Sequence, residues 1–230
     1  MSKPSIDELL AISPCEYSEG LSREQFISPA VRAMWPQIPR IAGPAFTVKC
    51  GKGDHLSLHA AIYRAQPGDI IVVEADPTVA SSGGNVCAVA QNRGITGFII
   101  DGAVRDVVEV RALKFPVYAR HTIPKPAAKE QIFPFNQPIY CGGVTVNAGD
   151  YIIADEEGIA VIPKSQLDKV YSLAKARTDK DAQMSLAEWQ AQHSKKVESK
   201  LKELGYSDQY HVLIALIRLS PFISFCHSKV

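Results

Sequence analysis

The sequence carries almost no net charge: across its 230 residues, lysine plus arginine number 25 and aspartate plus glutamate 24. A protein whose main partner is nucleic acid or an anionic membrane surface favours a basic excess, so neither is expected as principal partner. Cysteine is sparse and scattered. Cys15, Cys50, Cys87, Cys141 and Cys226 form no C-x-x-C pair. That spacing fits no zinc site, and the odd number fits no disulfide framework. Reduced, mostly buried thiols of a cytoplasmic protein are the expectation. Met1 to Ser5 lacks an apolar signal core. The one strongly apolar stretch, Val212 to Phe225, is interrupted by Arg218 and Pro221 and falls short of the ~20 residues a membrane helix needs. It reads as an interface or core tail, or as a poorly ordered extension. The G-x-S-x-G elbow of serine hydrolases, the lysine of a phosphate-binding loop and the G-x-G-x-x-G fingerprint are also missing.

What is present is strand and helix in alternation. Residues 5–40 read as helical and irregular, punctuated by Pro14, Pro29, Pro36 and Pro39. Ile41 to Cys50 ends in a strand-like alternation, and Leu56 to Ala65 has helical spacing up to Pro67-Gly68-Asp69. Asp69 to Glu74 and Gly97 to Asp101 are continuous apolar runs, the pattern of strands buried on both faces, and Phe115 to Arg120 is a third strand. Ser81 to Asn85 followed by a helix over Val86 to Arg93 completes a βαβ unit, which makes the flanking strands parallel neighbours. Residues 138–163 read as a β meander through Val144–Val146, Tyr151–Ala154 and Ile159–Ile162. From Ser165 to Leu204 the chain is charged and helix-prone, with Leu173, Ala176, Leu186, Trp189, Val197, Leu201 and Leu204 offering an apolar stripe. The fold class is therefore α/β, with one domain over residues 1–205 and an apolar tail over 206–230.

Two segments carry chemistry. Gly83-Gly84-Asn85-Val86 lies between a strand and a helix. Adjacent glycines permit positive φ and close backbone approach, and a helix N-terminus offers free N–H groups to an anion. Arg105-Asp106, at the end of Asp101-Gly102-Ala103-Val104-Arg105-Asp106, falls at the carboxyl end of a strand, where open α/β sheets bind ligands. Arginine offers a planar fork for a carboxylate or enolate, and aspartate a hard oxygen ligand for Mg2+ or Mn2+. Taken alone, these two residues fit an ion pair capping the next helix equally well. His55 and His59 have the four-residue spacing of metal ligands, but no third ligand follows, so they read as solvent-facing or core histidines. His121, just past a strand, could approach the pocket.

Gly84, twenty residues, Arg105-Asp106, two residues and Glu109 together resemble the G-x20-R-D-x2-E/D motif. It belongs to the family of 4-hydroxy-4-methyl-2-oxoglutarate aldolases and the regulator of ribonuclease activity A. Asp101 to Asp106 resembles the family's DGAVRD, and Gly149-Asp150, Asp155, Gly158 and Ile162-Pro163 its closing β segment. The resemblance implies a compact α/β/β domain assembled as a homotrimer or homohexamer. It implies a divalent-metal class II aldolase acting on a 2-oxo acid, with oxaloacetate decarboxylation as a side activity. Gly83, Gly84, Asn85 and Val86 would then hold the substrate carboxylate, Arg105 the pyruvyl oxygens and Asp106 the metal, while Glu109 orients Arg105 or the metal's waters. Many relatives carry an acidic residue where Asn85-Val86 stand, and family aldolases borrow an acidic residue from a neighbouring subunit that has no aligned counterpart here. Some relatives instead bind the ribonuclease E machinery without catalysis, which is the alternative role. A methyltransferase name also attached to such chains finds no support, for want of a dinucleotide-type loop.

Overall fold

Uninterrupted apolar runs build the centre of the fold in a computed structural model that describes residues 3–206. The strands in chain order are β1 (Arg32–Ala33), β2 (Ile41–Lys49), β3 (Ile70–Glu74), β4 (Ala80–Ser82), β5 (Gly97–Val104), β6 (Val117–Thr122), β7 (Ile139–Cys141), β8 (Val144–Val146), β9 (Tyr151–Asp155) and β10 (Gly158–Ile162). Eight of them form one sheet of order β1-β6-β5-β3-β2-β9-β10, with β4 paired to β5. The strands β2, β3, β5 and β6 run parallel, and β4 runs parallel to β5. Ile70 to Val73 and Phe98 to Ile100 are all 0 % exposed, as central parallel strands covered on both faces must be. The expected βαβ unit is β3, then helix α3 below, then β5, with Ile70 opposite Gly97 and Glu74 opposite Asp101.

The helices are α1 (Ile6–Leu10), α2 (Leu56–Ala61), α3 (Gly84–Asn92), α4 (Val107–Leu113), α5 (Leu167–Ala182) and α6 (Leu186–Glu203). Helix α2 ends four residues earlier than the spacing predicts, because residues 62–65 already turn towards the Gly68 bend, where φ is +93°. Residues 5–40 hold one short helix, two 3-10 turns and the edge strand β1.

The closing segment has its strands where the sequence puts them, but the pairing differs from a single meander. β8 folds back on β7, while β9 pairs with β10 and with β2. The Asn147–Asp150 turn explains the break: Asp150, 5 % exposed, accepts the amides of Asn147 (2.9 Å) and Lys164 (3.0 Å) and turns the chain away from β8. Leu167, Val170 and Ala174 of α5 pack with Leu9, Tyr17, Ala42 and Ile153 in a second apolar cluster.

By its internal contacts the chain divides into units of residues 1–180 and 181–230. In the second unit Ser185 and Glu188 form a capping box that starts α6. No residue of α6 is buried, and Leu186, Trp189, Val197 and Leu204 are exposed. Among the described residues no helix is long and apolar enough to cross a membrane. Val212 to Phe225 and Cys226 lie outside the described residues.

Candidate active site

The site is built from the end of β5. Asp101, the first residue of the DGAVRD phrase, faces inward: it pairs with Arg120 and accepts the Gly142 amide at 2.7 Å. Gly102 follows where a Cβ would meet the Ala75 side chain at 2.8 Å. This first half of the phrase anchors the strand, and the second half presents side chains. The Arg105 amide donates to the Ser82 carbonyl at 3.0 Å, which ties the end of β5 to the end of β4. Asp106 then adopts φ 59°, ψ 34°, in the left-handed region, which is uncommon outside glycine and stores strain.

Asp106 occupies the N-cap position of α4, yet its side chain caps nothing. Its Oδ2 instead accepts the Gly84 amide across the cleft at 3.2 Å and lies 3.4 Å from Arg105 Nε. The simple reading of an Arg–Asp pair as a helix cap therefore fails on geometry. Both side chains stay accessible, Arg105 at 45 % and Asp106 at 36 %.

Neither Gly83 nor Gly84 has positive φ; Gly83, at φ −157° and ψ −172°, is extended. The glycines serve by taking no space. A Cβ on Gly83 would collide with the Asp106 carboxylate and come within 3.1 Å of the Arg105 side chain, and one on Gly84 would collide with the Glu109 carboxylate. Gly83, Gly84, Arg105, Asp106 and Glu109 are thus packed into one group. Asn85 and Val86 form the first turn of α3 beside it, where helix geometry leaves the amides without intrahelical partners.

Two clefts flank the Arg105–Asp106 turn. The outer one, about 440 Å³, is bordered by Val108, Glu109, Ile123 and Pro124. The inner one, about 60 Å³, lies between Arg105, Asp106, the Gly83–Val86 turn and two histidines, His55 and His59. Those histidines are what sequence reasoning missed. Their spacing put both on one helix face, but only the approach of β4 brings that face to the cleft. They are not solvent-facing: His55 is 8 % exposed. Burial holds the His55 imidazole below its usual pKa, and burial followed by the neighbouring His55 ring and Lys129 holds His59 down to about 4. His121 borders neither cleft and instead bonds the Pro77 carbonyl at 2.8 Å.

Among the described residues no three His, Cys, Asp or Glu side chains gather into a metal cage. An accessible carboxylate with a single amide donor fits Mg2+ or Mn2+ of the kind that keeps most of its waters and binds through one or two carboxylates plus substrate oxygens. Asp106 is the carboxylate here that could act as such a ligand.

A family model described as RraA-like, Aldolase/RraA, matches residues 14–161. A protein of Halalkalibacterium halodurans, provisionally named 4-hydroxy-4-methyl-2-oxoglutarate aldolase, is 42 % identical over 144 residues, 62 % of this chain and 69 % of its own. A Burkholderia multivorans protein of the same provisional name is 32 % identical over 137 residues, 59 % of this chain and 82 % of its own. Among solved structures, Streptomyces coelicolor RraAS2, described as an unusual member of the RNase ES inhibitor RraA protein family, has a TM-score of 0.69 at 24 % identity. That match covers 80 % of this chain and 100 % of RraAS2, and it speaks for the fold.

Proposed function

The chain belongs to the RraA-like family, and on that footing we propose that it is a divalent-metal-dependent class II pyruvate aldolase. It would cleave 4-hydroxy-4-methyl-2-oxoglutarate or a related 4-hydroxy-2-oxo acid to pyruvate, with oxaloacetate decarboxylation as a side reaction. One observation carries the reading: Asp106 sits in a strained backbone conformation with its carboxylate turned away from its own helix, into a cleft shared with Arg105 and a helix N-terminus. A chain that served only as a ribonuclease-binding module would have no use for that arrangement.

The roles follow from the side chains. The Asn85 and Val86 amides hold the substrate's carboxylate at the positive end of α3. Arg105 holds the keto oxygen and neighbouring carboxylate oxygen, where its fork matches two acceptors. When the C–C bond breaks, negative charge gathers at that oxygen, and a guanidinium already in place stabilises it. Glu109, packed on Gly84, keeps the glycine turn and Arg105 in register. Asp106 would hold a divalent cation, which supplies Lewis-acid polarisation of the keto group when bound.

The test is direct. The purified protein is incubated with Mg2+ and either the methyl-oxoglutarate aldol or oxaloacetate, and pyruvate is measured. Pyruvate release that chelation abolishes is the expected result. No pyruvate from either compound would sink the proposal.

A further inference from the structure

Two imidazoles in the inner cleft have no part in the roles above. His55 precedes α2 and His59 lies one turn on, so both rings share a face; their centroids are 3.9 Å apart with planes at 31°. Neither ring nitrogen of His55, nor Nε2 of His59, makes a well-aligned hydrogen bond among the described residues, although the backbone carbonyls of Ala80 and Ser81 lie beside the two rings, and His55 is 8 % exposed. A buried polar atom left unpaired costs about 1–3 kcal/mol, so each such group calls for an explanation, and a ligand that completes it is one. Both rings border the cleft that holds Arg105 and Asp106. A guanidinium does not give up its proton in a protein, and the Asp106 carboxylate is already engaged by the Gly84 amide. Imidazole is the side chain suited to carry a proton near neutral pH.

Resting on the aldolase reading, we infer that the stacked His55–His59 pair is the acid–base unit of this site. In the cleavage direction an imidazole nitrogen takes the proton of the C4 hydroxyl. The C3–C4 bond breaks as C4–O becomes a carbonyl, and the electron pair passes between C2 and C3 to leave the enolate beside Arg105. The imidazolium then returns the proton to C3, which gives pyruvate and restores the neutral pair, so no proton is gained or lost overall. The surroundings suit a pair that is neutral at rest. Burial first, then Lys129 and Arg105, oppose a positive charge on either ring and outweigh the Ala80 carbonyl and Asp54, which favour one on His55, and the Ser81 carbonyl, which favours one on His59. Two stacked cations repel, so the pair carries one proton at a time.

The experiment exploits a difference between the two reactions. Aldol cleavage needs a base for the hydroxyl proton. Oxaloacetate has no such proton, and loss of CO2 needs only a stabilised enolate. The full-length double variant His55→Gln/His59→Gln is assayed for aldol cleavage, for exchange of pyruvate methyl protons in D2O by NMR, and for oxaloacetate decarboxylation. Cleavage and exchange should fall by about 10²- to 10⁴-fold, while decarboxylation persists and shows that fold and Arg105 are intact. The single variants then identify which ring carries the proton. Equal loss of all three activities would make the pair structural and overturn the inference, as would cleavage retained in the double variant. An unaltered protein inert towards both substrates would instead overturn the aldolase reading, and the inference with it.

Discussion

Asp54 and Asp106 occupy similar places in the chain, each a short way past a parallel strand and just ahead of a helix, but they are held in opposite ways. Asp54 is 0 % exposed and fully engaged. Its Oδ1 accepts the Leu56 amide at 2.7 Å, and its Oδ2 accepts those of Glu130 (2.5 Å) and Gln131 (3.2 Å). Asp106 has one amide, no cap and a left-handed backbone. A carboxylate satisfied on every side is a structural clamp, here pinning residues 128–131 to the start of α2. One held in a strained conformation with free lone pairs is available to a ligand. The contrast shows that residue type says little about function until its donors are counted.

The largest effect that would sharpen this contrast is on activity. Asp106→Ala should lower pyruvate release by about 10³-fold or more, since Lewis-acid stabilisation is worth several kcal/mol and each 1.36 kcal/mol is tenfold in rate. Its melting temperature should barely move. Full activity in that variant would remove Asp106 from the site and leave the two aspartates equivalent. Next comes Arg105→Lys, which keeps the charge but loses the fork. It should lower kcat by about 10²-fold, the range seen when one oxyanion donor is removed. A rise in KM with kcat untouched would make the arginine a uniform binder and shift the burden to the Asn85 and Val86 amides.

Much of this was legible in the sequence, and the gaps have physical causes. Ile70–Glu74, the α3 segment and β5 announced themselves by apolar runs and a glycine turn, because buried parallel strands leave few alternatives. The grouping of Gly84, Arg105, Asp106 and Glu109 was implied by the resemblance to the family motif, and the structure brings them together. What the glycines are for was not: they provide room for the acidic side chains, where the sequence equally allowed positive φ. The pairing of β8 with β7 was hidden because strand partners depend on the buried Asp150 turn, which no local pattern encodes. The role of Asp54 was invisible for the same reason, since its partners Glu130 and Gln131 lie far along the chain. The histidines were discounted for lack of a third ligand, a test that applies to a metal cage and says nothing about a pair lining a cleft.

Asp54 allows the contrast to be tested through stability. Asp54→Ala removes the acceptor of three partly buried amides and should cost about 1–3 kcal/mol by denaturant unfolding. Burial pushes the Asp54 carboxyl up, but the amides of Glu130, Leu56 and Gln131 outweigh it and hold the carboxyl below its ordinary range. A group depressed in the folded state stabilises the fold fully above its unfolded value of about 3.9, and that stability is lost as pH falls through the folded value. Asp54→Asn should therefore flatten the acid limb of the stability curve below about pH 4–5. An unchanged acid limb would show that the clamp does not depend on charge.

The smallest effect is the most specific to Asp106. In Asp106→Gly the side chain's cost in the left-handed region disappears, a relief of about 1 kcal/mol. Against it stand one long hydrogen bond from Gly84 and an exposed pair with Arg105, the latter worth about 0–1 kcal/mol. Glycine also gives the unfolded chain more freedom, which opposes part of the relief. The balance should fall between no change and a gain of about 1 kcal/mol in unfolding free energy, while activity falls as far as in Asp106→Ala. A stabilised, inactive protein is the signature of a residue kept for its chemistry at the expense of the fold. A loss of stability beyond about 1 kcal/mol would mean that the Asp106 carboxylate clamps β5 to α3 much as Asp54 clamps residues 128–131. The distinction between the two turns would then collapse.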